Sequence, residues 1–390
     1  MKKKRGKWVK HPILAVFIVF IMLLVFALVL VLHRVIDKQF LRQHPEYVDV
    51  METAGEETDT EKNRQNGKNE IDYSVMSGTV TTVSEATPGQ AFVADKKALS
   101  LFRGYMFHIV LPEGIKAEEL RFQDDYMKRR LTIYYPVEYF EEFSTHEPEG
   151  LMTDVKRWKY KQGVTQGKLA ITFLKTFAFH YCIEDGVLYV KYGSPSYYYD
   201  DIVVIDPGHG GEDYGAYTYN QSYIEKDIIN AVNNYLYYDY IKQKKIMVYF
   251  TRVEDENYSL AQRIGLANDI NADLFISLHC NFLTSWQGAA RGVETAYNQK
   301  DASKPYNSKW LAEKLQDAFA SAVGLDNRGI IKSADLKVLR LAKMPACLLE
   351  MGFISDSVDA ATLSNGSMQK RAAEAIEQVV EEALEEMKHE

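Results

Sequence analysis

Residues 12–32 are 21 consecutive positions without a charge in a chain of 390, and no other feature limits the fold as much. Coiled as a helix, the run is about 30 Å long, the thickness of a bilayer's hydrocarbon core. It is expected to span the membrane once. Lys2, Lys3, Lys4, Arg5, Lys7 and Lys10 precede it, whereas only Arg34 and Lys38 follow closely. The positive-inside rule therefore makes residues 1–11 a basic cytoplasmic tail and puts everything after His33 outside the cell. The run is too long for the apolar part of an ordinary cleaved leader, and no small-residue cleavage pattern follows it. An uncleaved, single-pass signal anchor in the cell membrane is the expectation.

The formal net charge is −8, and removing those six positive charges leaves about −14 on the remainder. An acidic ectodomain argues against nucleic acid as a partner. Cys182, Cys280 and Cys347 each sit in an apolar, strand-like run. Three thiols cannot close completely into internal disulfides, so they are expected to be buried and free.

Three further regions lie beyond the anchor. Residues 33–97 read as a polar linker, since the stretch after Gly55 holds nothing able to nucleate a core, although 71–93 alternates in a β-like way. Residues 98–199 contain short alternating runs near 106–111, 130–135, 168–173 and 187–192, with a Glu184-Asp185-Gly186 turn before the last. These predict a small β-rich domain with a hairpin. It would bind wall or a protein partner, or simply buttress the domain after it. Residues 201–390 alternate between strand and helix, with strands expected at 202–205, 246–250, 274–278, 292–296 and 346–350. Helices are expected at 223–242, 260–268, 308–323 and 368–387. Such alternation predicts an α/β fold, a mostly parallel sheet with helices on both faces. A ligand then sits beyond the carboxyl ends of the strands.

That rule gathers His209, Glu225, His279 and Glu350. His209 follows the first strand in Asp206-Pro-Gly-His-Gly-Gly, His279 ends a strand in Ser277-Leu-His-Cys-Asn, and Glu350 ends another in Cys347-Leu-Leu-Glu-Met-Gly. Glu225 opens the helix after the glycine loop. Two imidazoles and a carboxylate form the ligand set of a catalytic zinc, with a fourth position left for water. Glu350 is then available as the general base. Cys280 should face away from His279, while Asn281 shares its side. Arg263 would orient a substrate group or form a structural ion pair with Asp255 or Asp269. Asn281 would support the site or cap backbone. Neither a His-Glu-x-x-His nor a Gly-x-Ser-x-Gly signature occurs.

From about 201 to 385 the chain resembles the zinc-dependent N-acetylmuramoyl-L-alanine amidases of bacterial cell-wall hydrolysis. The resemblance is carried by Ile205-Asp-Pro-Gly-His-Gly-Gly, Glu225-Lys-Asp, Thr251-Arg with Asp255, Leu260-Ala-Gln-Arg with Ala267-Asn, Ser277-Leu-His-Cys-Asn, Arg291-Gly-Val-Glu-Thr and Met344-Pro-Ala-Cys-Leu-Leu-Glu-Met-Gly-Phe-Ile-Ser. It implies one zinc held by His209, Glu225 and His279, with Glu350 catalytic. The implied reaction is hydrolysis of the amide between the muramic acid lactyl group and the stem-peptide L-alanine of peptidoglycan. The short 279–292 segment implies a site free of the long inhibitory helix some relatives carry there. Asp356 stands where relatives often have asparagine, away from every proposed ligand. Two other readings compete: an inactive wall-binding scaffold that recruits or regulates another hydrolase, and a zinc peptidase cutting within the stem.

Overall fold

The computed structural model describes residues 92–93, 104–218, 222–243, 246–283 and 290–389. The apolar run 12–32 and most of the expected linker lie outside the described residues. Among the described residues no helix is long and apolar enough to cross a membrane.

The described residues up to Gly193 supply nine strands: β1 (Phe92–Val93), β2 (Tyr105–Val110), β3 (Arg121–Asp125), β4 (Arg130–Pro136), β5 (Glu149–Gly150), β6 (Val155–Gln162), β7 (Gln166–Phe173), β8 (Ala178–Glu184) and β9 (Val187–Gly193), with one helical turn, α1 (Phe140–Phe143). They form a five-stranded sheet ordered β1-β8-β9-β2-β5 and a four-stranded sheet ordered β3-β4-β7-β6. Alternate residues of both sheets, among them Phe107, Ile109, Ile133, Leu169, Ile171 and Val190, bury into one shared core, as period-2 patterning requires of a sandwich. The expected hairpin joins β8 and β9 in register. Its two turn residues, Asp185 and Gly186, both have positive φ, 52° and 73°, the backbone of a type I′ turn. Strand β1 pairs with β8, so part of the sheet arises within the stretch read as linker.

The second half contains strands β10 (Ile202–Pro207), β11 (Met247–Phe250), β12 (Leu274–Asn281), β13 (Val293–Tyr297), β14 (Asn327–Lys332) and β15 (Ala346–Phe353). Its helices are α2 (Glu225–Gln243), α3 (Leu260–Ile270), α4 (Ser308–Val323), α5 (Lys337–Leu341), α6 (Ser357–Leu363) and α7 (Gly366–Lys388). The sheet order is β11-β10-β12-β15-β13-β14. All neighbours run parallel except β13 and β15, which are antiparallel, so the sheet is mixed. Apolar runs such as Ile202 to Ile205 are buried throughout, because helices cover both faces. Helices α3 and α5 pack with Ile202, Val204, Phe275 and Leu348 on one face; α2, α4 and α7 pack together on the other. Local signals start these helices. Ser259 and Gln262 form a capping box at α3, Asn307 caps α4, and Asp356 caps α6 by accepting from the amides of Val358 and Asp359.

The sandwich is docked on this domain through the turn between β3 and β4. Tyr126 donates its hydroxyl to the Phe250 carbonyl at 2.7 Å and meets the Tyr249 ring edge-on. Arg129 pairs with Asp269 at 2.8 Å, and Tyr126, Met127 and Tyr199 pack against the core beneath α3. All three cysteines are buried and free, as expected.

Candidate metal centre

At the carboxyl ends of β10 and β12 the loop after Pro207 bends back under His279. His209 itself takes a left-handed backbone, φ 58°, which is costly for a residue with a side chain. Surrounding bonds impose it. Arg263 donates to the carbonyls of Pro207 and His209, both at 2.6 Å, and Arg252 donates to those of Pro207 and Gly208. Asp255 accepts the Gly211 amide at 2.7 Å and pairs with Lys226, which also reaches the Gly211 carbonyl. At Gly208 an added Cβ would lie 2.4 Å from the His279 ring, and at Gly215 it would lie 2.5 Å from a Glu225 oxygen. Those two glycines leave the space in which three side chains meet.

The three are His209, Glu225 and His279. Glu225 Oε1 lies 3.1 Å from His209 Nε2 and 3.0 Å from His279 Nδ1, and the ligand atoms of all three fall within 4.8 Å of one another. Glu225 is fixed by the Ala216 amide on one oxygen and the Cys280 amide on the other. Burial alone would raise its carboxyl pKa, but hydrogen bonds and charge from both imidazoles outweigh burial and hold it far below the usual carboxylate range. His209 is likewise pushed above its ordinary value: burial opposes the shift, and Glu225 and Asp213 override it. The residues suit zinc: two nitrogens and one carboxylate oxygen converge, and both rings remain about one-fifth exposed on the open side.

Asp213 is a site residue that sequence reasoning missed. Its carboxylate meets His209 Nδ1 at 2.9 Å and accepts the Gly215 amide. Holding the proton on Nδ1 leaves the Nε2 lone pair free for a metal shared with Glu225. The signal was present as an aspartate four residues beyond the histidine, across the glycine turn.

Glu350 stands beside His279 in the β12–β15 register, and Glu294 faces it from β13. Its Oε2 is buried without a hydrogen-bond partner. Burial raises its carboxyl pKa to about 7, with Glu225 and Glu294 adding to the shift and the two imidazoles opposing it. A carboxylate so placed has the proton affinity of a base that works near neutrality. Asn281 donates to Glu294 at 3.4 Å and caps the Phe282 amide, so it reaches the carboxylate next to Glu350. Cys280 is buried, and its amide, not its sulfur, serves the site.

Arg263 corrects an expectation. It is 2% exposed, and its guanidinium is spent on Asp206 at 2.9 Å and on the carbonyls of Pro207, His209 and Tyr258. No face remains for substrate, and its ionic partner is Asp206 rather than Asp255 or Asp269. The physical reason is position: α3 aims this side chain down onto the β10 end, where Asp206 sits buried. The 279–292 segment cannot be followed throughout, because residues 284–289 lie outside those described.

Residues 203–382 match the family model described as N-acetylmuramoyl-L-alanine amidase. The chain is 34% identical over 188 residues to the sporulation-specific N-acetylmuramoyl-L-alanine amidase of Bacillus subtilis, covering 47% of this chain and 68% of that protein. It belongs to this amidase family. The amidase domain is also 38% identical over 174 residues to the uncharacterized protein YqiI of Bacillus subtilis, covering 45% of this chain and 80% of that protein. With the amidase LytC of the same bacterium it shares 35% identity over 180 residues, only 34% of LytC's length. Among solved structures, an N-acetylmuramoyl-L-alanine amidase from Clostridium difficile 630 aligns with 36% identity over 47% of this chain and 97% of its own, at a TM-score of 0.44.

Proposed function

We propose that this chain is a zinc-dependent N-acetylmuramoyl-L-alanine amidase, which hydrolyses the amide between the muramic acid lactyl group and the first stem-peptide residue of peptidoglycan. One observation carries the reading: His209, Glu225 and His279 converge beside a buried, unpartnered carboxylate oxygen of Glu350. Zinc bound to those three residues supplies the Lewis acidity that polarises the scissile carbonyl and acidifies water. Glu350 accepts a proton from the attacking water and returns it to the leaving amine. Asp213 keeps the His209 tautomer, and Arg252 and Arg263 keep the loop in place. Asn281 and Glu294 flank the base.

The apolar run 12–32 and the cations before it support an anchored protein, its N-terminus cytoplasmic and its amidase domain outside, where the wall is. The test of the reaction is mass spectrometry of purified peptidoglycan digested by the full chain. A new amino terminus on the first stem residue is expected, with loss of product on chelation and recovery with zinc. Cleavage within the stem would make it a peptidase, and no cleavage with metal bound would make it a scaffold.

A further inference from the structure

The outward face of the four-stranded sheet is unlike the rest of this acidic protein. Residues facing away from the sandwich core line up across the strands as Arg121, Tyr134, Lys168 and Lys161 in one row. Gln123, Thr132, Ala170 and Lys159 form the next, and Asp125, Arg130, Thr172 and Arg157 the third. Among the described residues of these rows there are six cations and one carboxylate, Asp125, which is engaged by Arg130 and Lys128. Along β6 the cations recur every second residue, about 6.8 Å apart, and the next strand lies about 4.8 Å away. Arg157, Lys159 and Lys161 are exposed, and none of them forms an ion pair with a described residue.

We propose that this face binds a linear polymer bearing repeated phosphate charges, in the compartment where the amidase works. The argument is charge complementarity along the aligned rows of a sheet face. A grid of separated cations neutralises a chain of anions better than one compact ligand, and each phosphate bound releases counterions. The outward rows contain one ring, Tyr134, and the Arg121 guanidinium already lies over it at 4.0 Å. Within these rows no open ring remains as a stacking platform for nucleic-acid bases. The same rows carry no large aliphatic side chain to insert between lipids, so a polymer fits better than a bilayer surface. The inference does not depend on the catalytic reading, since none of these residues touches the metal centre.

The test is fluorescence anisotropy with labelled inorganic polyphosphate and the detergent-solubilised full chain, between about 50 and 200 mM salt. Binding should weaken steeply with salt. The combined variant Arg157→Gln, Lys159→Gln, Lys161→Gln removes three contacts, so the slope of log affinity against log salt should become shallower by about 2. Its affinity should accordingly fall about 20-fold less than the parent's across that salt range. A charge-matched control, Lys332→Gln, Lys337→Gln, Lys343→Gln, should bind like the parent, and Lys159→Arg with Lys161→Arg should retain binding. The proposal fails if polyphosphate does not bind at the lowest salt, or if the triple variant keeps the parent slope. It also fails if single-stranded DNA or anionic vesicles bind more tightly than polyphosphate of equal charge. If the triple variant merely aggregates while keeping full polyphosphate affinity, the cations guard an open strand edge and the proposal is overturned.

Discussion

Replacing Glu350 by glutamine separates chemistry from stability. The parent carboxyl is raised from 4.5 to about 7 by burial, with one oxygen unpartnered. Because the folded pKa lies above the unfolded one, the native state holds the extra proton between pH 4.5 and 7. Stability is therefore lost as pH rises through that window and stays low above it. In the metal-free protein the full cost is about 3 kcal/mol. Glutamine carries no charge, so Glu350→Gln should be more stable than the parent at pH 8 by somewhat less than that, its amide remaining poorly satisfied. The gain should vanish near pH 4.5. Activity should move the other way: an amide cannot take a proton from water, and losing a positioned base costs about 10²- to 10⁴-fold in rate. The assay is thermal unfolding with chelator at pH 5 and 8, beside zinc content and turnover on peptidoglycan from the same preparation. Near-normal turnover would refute the role as base. Loss of zinc along with activity would make Glu350 a ligand and reopen that of Glu225.

Other perturbations test the supporting parts. Asp213→Ala should leave the fold intact while weakening zinc affinity about 10- to 100-fold, read by competition with a chromophoric chelator; unchanged affinity would remove Asp213 from the site. Arg263→Ala strands the buried Asp206 carboxylate and should cost about 3–5 kcal/mol in denaturant unfolding, whereas a loss of activity at parental stability would return Arg263 to substrate binding. His180 is fully buried, and burial, helped by Lys191, lowers its pKa from 6.5 to about 3. Its stabilising contribution is present above pH 6.5 and falls away below, by about 2 kcal/mol at pH 5. His180→Phe should flatten that limb of the pH–stability curve, and an unchanged acid limb would show that other groups set it.

Much of the site was legible because its residues sit at strand ends and glycine turns, features that sequence marks directly. His209, Glu225 and His279 meet as expected, with Glu350 beside them. Strand direction is not written locally: nothing in residues 293–297 shows that β13 runs against β15. Strand β14 escaped notice because, as a sheet edge, it is mostly exposed and lacks an apolar alternation. The short helices α5 and α6 span too few turns to display a period. The two readings of Arg263 stayed open because a guanidinium that binds substrate and one that braces a loop look identical until burial is known; the structure has the ion pair, with Asp206 as the partner that sequence spacing did not reveal.

The docking of the sandwich through Tyr126 also has a mechanical meaning. Its contacts fall on Tyr249 and Phe250, the last residues of β11, and the next residues are Thr251 and Arg252. Thr251 binds Asp206 and Arg252 clamps the loop carrying His209. The docking contacts thus end one residue short of the clasp of the metal loop. A displacement of the turn between β3 and β4 would reach that clasp through the edge strand of the six-stranded sheet, without crossing its core.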